Sequence, residues 1–230
     1  MGTILAVFAH PDDETFICGG TLAKYASEGH RVVLLCATKG EMGRRMGVPP
    51  VATRESLPVI REQELIDACK ALKISDLRFL GLRDKLLEIQ PIETLKQMVL
   101  SHMTEVMPDA IITFHEILGG HSDHCAIGRA AKEAYSVYKT ENPRADLFYV
   151  CWSNVAQDPT SYGFSQDQLL KITIRKYFLE KLYGFRAHQT QSAMDEWVWG
   201  NDQKAINQFS EYEYFIQANG PFGINKNSII

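Results

Sequence analysis

One imidazole and three carboxylates crowd five consecutive positions, His10-Pro11-Asp12-Asp13-Glu14, just after an apolar run ending at Phe8. Carboxylates this close repel one another unless a cation or a helix N-terminus compensates them. Capping a helix that starts near Thr15 would occupy only one aspartate and would not involve His10. A metal ion would use the whole cluster. A second cluster has the same layout: the apolar run Asp109 to Phe114 leads into His115-Glu116, then Gly119-Gly120, then His121-Ser122-Asp123-His124. His10, one aspartate of the first pair and one histidine of the second motif make a three-ligand set. Two histidines and a carboxylate with an open position form a recurring catalytic zinc arrangement, and the same set suits Fe(II) or another divalent metal.

Both clusters need scaffolding that brings them together. Thr3 to Phe8 and Arg31 to Ala37 read as strands buried on both faces, with a helix from about Thr15 to Ser27 between them, closed by Gly29. Lys39 to Ala52, with its glycines and prolines, reads as a long loop. Arg54 to Leu72 follows as an amphipathic helix whose apolar face is Ile60, Leu65, Ala68 and Leu72, with Pro58 in its first turn or marking a late start. A short strand at Leu77 to Leu80, a helix at Ile92 to Val106, a strand at Asp109 to Phe114 and a helix at Asp123 to Tyr138 continue the alternation. This rhythm predicts an α/β, Rossmann-like doubly wound fold: a mostly parallel sheet with helices on both faces. Such sheets hold ligands at the carboxyl ends of their strands, where both clusters fall. Beyond residue 146 the pattern is less regular. Strands are expected near Leu147–Cys151, Leu169–Ile174 and Tyr212–Gln217, and helices near Lys176–Arg186 and Gln191–Phe209. The expectation is one domain over residues 1–230, with its core in about 3–140 and the less regular part in about 146–230.

The 230 residues are 45% hydrophobic and 23% charged, which excludes a largely disordered chain. A formal net charge of −4 gives no basic field for nucleic acid. Five scattered cysteines, odd in number and without a close pair, read as free thiols in a reducing compartment. No apolar run reaches bilayer length and no basic segment precedes the first one, so neither anchor nor signal peptide is expected, and the reading is cytoplasmic. Gly19-Gly20 lacks the context of a nucleotide-binding loop and is expected to let its helix pack closely on the sheet. Arg44 and Arg45, on a glycine-rich loop, suit an anionic group or solvent equally. Trp197 and Trp199 suit a subunit interface or a lid.

The two His/Asp motifs together resemble the LmbE/PIG-L superfamily of metal-dependent N-deacetylases, which act on N-acetylglucosamine attached to small molecules or lipids. Lys39-Gly40-Glu41-Met42-Gly43-Arg44, followed by Ala52-Thr53-Arg54-Glu55-Ser56-Leu57, is similar to the bacillithiol-pathway branch and to its second-type deacetylases, which act on N-acetylglucosaminyl malate. His188-Gln189-Thr190-Gln191 is similar to a His-x-Ser-Gln element of many members, with Thr190 in place of Ser. The resemblance implies His10, Asp13 and His124 as metal ligands, with Zn2+ as the ion or Fe2+ or another divalent metal in its place. It implies Asp12 as general base, a protonated His121 facing the tetrahedral intermediate, and Asp123 orienting His121. It implies Arg54 at the substrate, with Arg44, Glu41, His188 and Gln191 as further substrate-side residues. The expected partner is a small-molecule N-acetylglucosamine conjugate, with no nucleic acid or membrane, in a monomer or homo-oligomer. Alternatives left open are an amidase of bacillithiol S-conjugates and a noncatalytic sugar- or metal-binding protein. Two adjacent aspartates disfavour the last, since binding alone needs no base beside the ligand.

Overall fold

The computed structural model describes residues 1–219 and 228–230. Seven strands form one sheet: β1 (Thr3–Phe8), β2 (Arg31–Thr38), β3 (Asp76–Leu82), β4 (Ala110–Thr113), β5 (Asp146–Val150), β6 (Leu169–Thr173) and β7 (Tyr212–Gln217), in the order β3-β2-β1-β4-β5-β7-β6. The first five are parallel, whereas β7 runs antiparallel to both β5 and β6. Central β1 is buried from Ile4 to Phe8, and β4 along its whole length, as apolar strands covered on both faces must be. The edge strand β3 is only half buried.

The crossovers are helices α1 (Asp13–Ser27), α2 (Leu57–Ala71), α3 (Ile92–Val106) and α4 (Ser122–Glu141). Strand order reverses between β1 and β4, and both strands point their carboxyl ends at the crevice this opens. His10 to Asp13 leave β1 there, and His121 to His124 follow β4. Gly128 lets α4 lie close to that edge: a Cβ at this position would run into the carbonyl of Phe114.

Several boundaries moved. α2 begins at Leu57 because Thr53 and Ser56 close a turn before it, so Arg54 sits on the turn and Pro58 in the first helical turn. β3 extends past Leu80 to Leu82. Gly20 packs against the side chain of Ile174, just beyond β6. α1 kinks at Cys18 (φ −137°), and the amide N–H groups of Gly20 and Thr21, at 3.1 and 2.7 Å, are accepted by the buried Glu213 carboxylate, itself paired with Lys181 at 2.6 Å.

After β5 come a short α5 (Ser153–Gln157) and two 3-10 turns that the sequence pattern did not announce. α6 (Phe178–Ala187) matches the expected helix. The expected helix over Gln191–Phe209 is instead three pieces, α7 (Gln189–Ser192), α8 (Glu196–Trp199) and α9 (Asp202–Ile206). Arg186 takes the carbonyls of Val198 (2.8 Å) and Gly200 (3.0 Å), which a continuous helix would have used, and Asn201 caps the last piece. Trp197 packs on Phe185 and Phe209, and Trp199 donates to Ser192. Among the described residues no helix is long and apolar enough to cross a membrane.

Candidate metal centre and active site

Donor atoms of three residues converge at the crevice, Asp13 presenting a different oxygen to each histidine. His10 Nδ1 lies 3.3 Å from His124 Nε2, His124 Nε2 lies 3.2 Å from Asp13 Oδ1, and His10 Nδ1 lies 3.6 Å from Asp13 Oδ2. Ligands bound at about 2.0–2.1 Å in a tetrahedron stand about 3.3 Å apart, and these separations are compatible with a tetrahedral metal site. The group can hold a metal ion, and the outer nitrogen of each histidine has a partner of its own. His124 Nδ1 faces the carbonyl of Gly119 at 2.9 Å, which makes Nδ1 the donor and leaves Nε2 its lone pair. Its ring also stacks on Phe114 at a centroid distance of 3.9 Å.

His10 is held in the same way. Its Nε2 meets Asp84 at 3.1 Å and Asp123 at 3.3 Å, so Nε2–H is donated and Nδ1 is free for a metal. Burial opposes protonation of both histidines, but the surrounding carboxylates outweigh it and raise His10 and His124 above the usual range, while Asp13 is held well below it. A second grouping, His10 with His121 and Asp123, is geometrically close as well. Its carboxylate is already taken by the amides of Lys85 (2.6 Å) and Leu87 (3.2 Å), so it fits a metal less well.

Those contacts correct the expected role of Asp123. Its carboxylate faces His10 and the loop after β3, not the ring of His121. What reaches His121 is the Asp123 backbone N–H, which donates to Nδ1 at 3.2 Å. Burial first, and then His10 and His124, lower the affinity of His121 for a proton.

Asp12 adopts φ 108°, a left-handed conformation costing about 1–3 kcal/mol in a non-glycine residue, and its side chain makes no helix cap. The carboxylate instead accepts from Arg61 Nη2 at 2.9 Å. Burial, aided by repulsion from Asp13 and opposed by Arg61, pushes Asp12 up to about 6. Arg61 is 3% exposed and also donates to the carbonyls of Gly40 and Pro11. The amide of Asp12 donates to Glu14 Oε2 at 3.1 Å. Glu14 Oε1 meets His188 Nε2 at 2.7 Å, and both side chains are buried. Burial alone would lower His188, yet this carboxylate raises it.

A cavity of about 500 Å³ opens over the centre, within the usual range for a small-molecule site. His10, Asp12, Asp13, His121, His124, Arg44 and Gln191 line it, as expected, together with Met42, Gly43, Arg61, Asp84 and Lys85. Four candidates are not brought to its wall. Asp123 and His188 lie behind it, both 0% exposed. Arg54 donates to the carbonyls of Glu41 (2.9 Å) and Gly43 (2.8 Å), bracing the loop from outside, and Glu41 takes part through that carbonyl. Gln191 donates to the Arg45 carbonyl, and Arg45 returns a contact to Gln191 and pairs with Asp195 at 2.7 Å.

Sequence reasoning missed Asp84, Lys85, Arg61 and Glu64. Asp84 is two residues past the true end of β3, at a ligand-bearing edge. Arg61 and Glu64 fall on the same stripe of α2 as Leu57, Leu65 and Ala68, and two charges on a core-facing stripe were the available signal.

A family model described as GlcNAc-PI de-N-acetylase (PIG-L) matches residues 5–135. The chain is 36% identical over 218 residues, covering 92% of it and 96% of the relative, to a protein of Bacillus subtilis (strain 168) named probable N-acetyl-alpha-D-glucosaminyl L-malate deacetylase 2. Its fold is similar to that of the N,N'-diacetylchitobiose deacetylase from Pyrococcus horikoshii (TM-score 0.69, 19% identity, 94% and 83% of the two chains). It is equally similar to that of the 4-carboxy-2-hydroxymuconate hydratase GalB from Pseudomonas putida KT2440 (TM-score 0.70, 16% identity, 98% and 99%). At these identities the two likenesses establish the fold alone, and they show it carrying two different reactions.

Proposed function

The chain belongs to the PIG-L deacetylase family, and from that premise we propose that it hydrolyses the acetamide of N-acetylglucosaminyl malate, as one catalytic unit in the cytoplasm. One observation carries the reading: the His10–Asp13–His124 donor triangle and the carboxylate of Asp12 share one cavity whose rim is cationic. His10, Asp13 and His124 would hold the metal, with zinc as the proposed ion. When bound, a divalent metal polarises an amide carbonyl and lowers the pKa of water.

The chain's own groups supply the rest. Asp12, with a pKa of about 6, is ionised at neutral pH and still basic enough to accept a proton from water and return it to the leaving amine. Arg61 holds that carboxylate in place. The Nε2–H of His121 is its remaining donor for a developing oxyanion, because its Nδ1 already accepts from Asp123. Arg44 and Lys85 face the cavity, and they suit the two carboxylates of malate better than Arg54, whose guanidinium binds loop carbonyls.

The test compares turnover of N-acetylglucosaminyl malate, plain N-acetylglucosamine and bacillithiol S-conjugates by one zinc-loaded preparation. The malate conjugate should show the highest kcat/KM. Preference for S-conjugates would make the protein an amidase of detoxification. No turnover of any substrate at full metal occupancy would make it a binding protein.

A further inference from the structure

Glu14 and His188 perform none of the steps above, yet both are buried charged or polar groups within the reach of the base. Each oxygen of Glu14 is occupied. Oε1 accepts from the Thr15 hydroxyl and from His188 Nε2, and Oε2 accepts from the backbone N–H of Asp12. His188 is the one donor to this carboxylate from outside residues 12–15 among the described residues, and it lies 174 positions away in the chain. It is 0% exposed, so it cannot touch a substrate. Its Nδ1 is buried without a hydrogen-bond partner among the described residues, Phe16 lies edge-on to its ring at a centroid distance of 6.1 Å, and the backbone two residues on is anchored. Thr190 gives its N–H (2.6 Å) and its hydroxyl (2.7 Å) to the buried Glu64, and the Thr190 carbonyl accepts from Gly47.

We propose that His188 is a positioning residue which, through Glu14, holds Asp12 in the left-handed backbone conformation that aims its carboxylate into the cavity. The inference rests on the reading of Asp12 as the base. Its physical basis is the chain of contacts. A left-handed aspartate persists only where its surroundings over-determine it. The acceptor for its N–H is a buried carboxylate, and a buried carboxylate keeps one orientation only while its donors are complete. Without the imidazole, Glu14 loses its anchor outside the motif, the Asp12 N–H loses a fixed acceptor, and the base drifts. Misplacement of a reacting group by about 1 Å costs on the order of 100-fold in rate.

The test uses the full chain. His188→Leu removes the donor. His188→Gln keeps an N–H with the reach of Nε2, and His188→Asn has an N–H too short to reach Glu14. In the zinc-loaded protein with N-acetylglucosaminyl malate, Leu and Asn should lower kcat about 10–100-fold with KM nearly unchanged, and Gln should restore most of it. Zinc stoichiometry should stay at the wild-type value in all three. A second readout needs no substrate or metal. In the metal-free 15N-labelled protein, the Asp12 amide proton should be shifted downfield by its carboxylate acceptor, move upfield in the Leu and Asn variants, and return in Gln. An unmoved Asp12 amide, or equal kcat per zinc-loaded molecule in Gln and Asn, would overturn the proposal. If Leu does not fold, the Gln and Asn pair decides. If the wild type turns over no substrate, the proposed function fails and the Asp12 amide still judges this inference.

Discussion

Replacing Asp12 by Asn tests the base most directly. The amide is nearly isosteric and can still accept from Arg61, but it cannot carry a proton. The loss expected for a general acid/base is about 10²–10⁴-fold in kcat. In the wild type, a group at about 6 is roughly 90% ionised at pH 7 and roughly 10% at pH 5, so kcat/KM should fall about tenfold over that interval as the base takes up its proton. Asn should abolish that limb along with the rate. Acid has a second target, because the carboxylates around His10 and His124 raise their proton affinity and protons then compete with the metal. The assay is therefore release of primary amine from N-acetylglucosaminyl malate between pH 5 and 8, with zinc content measured in every sample. Near-normal turnover by zinc-loaded Asp12→Asn would refute the reasoning, as would an acid limb near pH 6 that survives the substitution at constant zinc.

Three further outcomes follow from the geometry. Asp84→Asn weakens the support of His10 Nε2, so zinc affinity should drop about 10–100-fold, measured by chelator competition, while the protein stays folded. Arg44→Ala combined with Lys85→Ala should raise KM for the malate conjugate at least about tenfold and leave plain N-acetylglucosamine almost unaffected, as expected from losing charge-assisted contacts worth about 1.5–3 kcal/mol; Arg54→Lys, acting through the loop, should impair both substrates alike. Gly128→Ala puts a methyl against the Phe114 carbonyl, so it should destabilise the fold by about 1–3 kcal/mol, read as a lower Tm, and an unchanged Tm would show that α4 can retreat freely.

What could be read in advance followed from local chemistry. β1, α3 and β7 lie where the apolar runs and prolines put them, and both His/Asp clusters left their strands at the predicted edge. The errors have particular physical causes. Ending the third strand at Leu80 put Asp84 too far from a strand end to attract notice. Arg61 drew no notice because its partners, Pro11, Asp12 and Gly40, are distant in sequence. His188 and Arg54 were taken for substrate contacts on motif likeness, which does not say whether a side chain faces a cavity or braces the wall behind it. The segment after residue 188 has the composition of a helix, but Arg186 captures its carbonyls, and that tertiary competition leaves no local trace.

The buried carboxylates also impose an order of assembly on a growing chain. His10, Asp13 and His124 all lie within the first 141 residues, which end with α4. The braces come later: Glu64 waits for Thr190, Glu14 for His188, and the break in α1 for Glu213, with the last two contacts spanning 174 and 192 positions. At about 5–20 residues per second, the stretch between Thr21 and Glu213 takes about 10–40 s to synthesise. From the synthesis of His124 until that of Glu213, the growing chain carries all three donor residues without the full set of these braces.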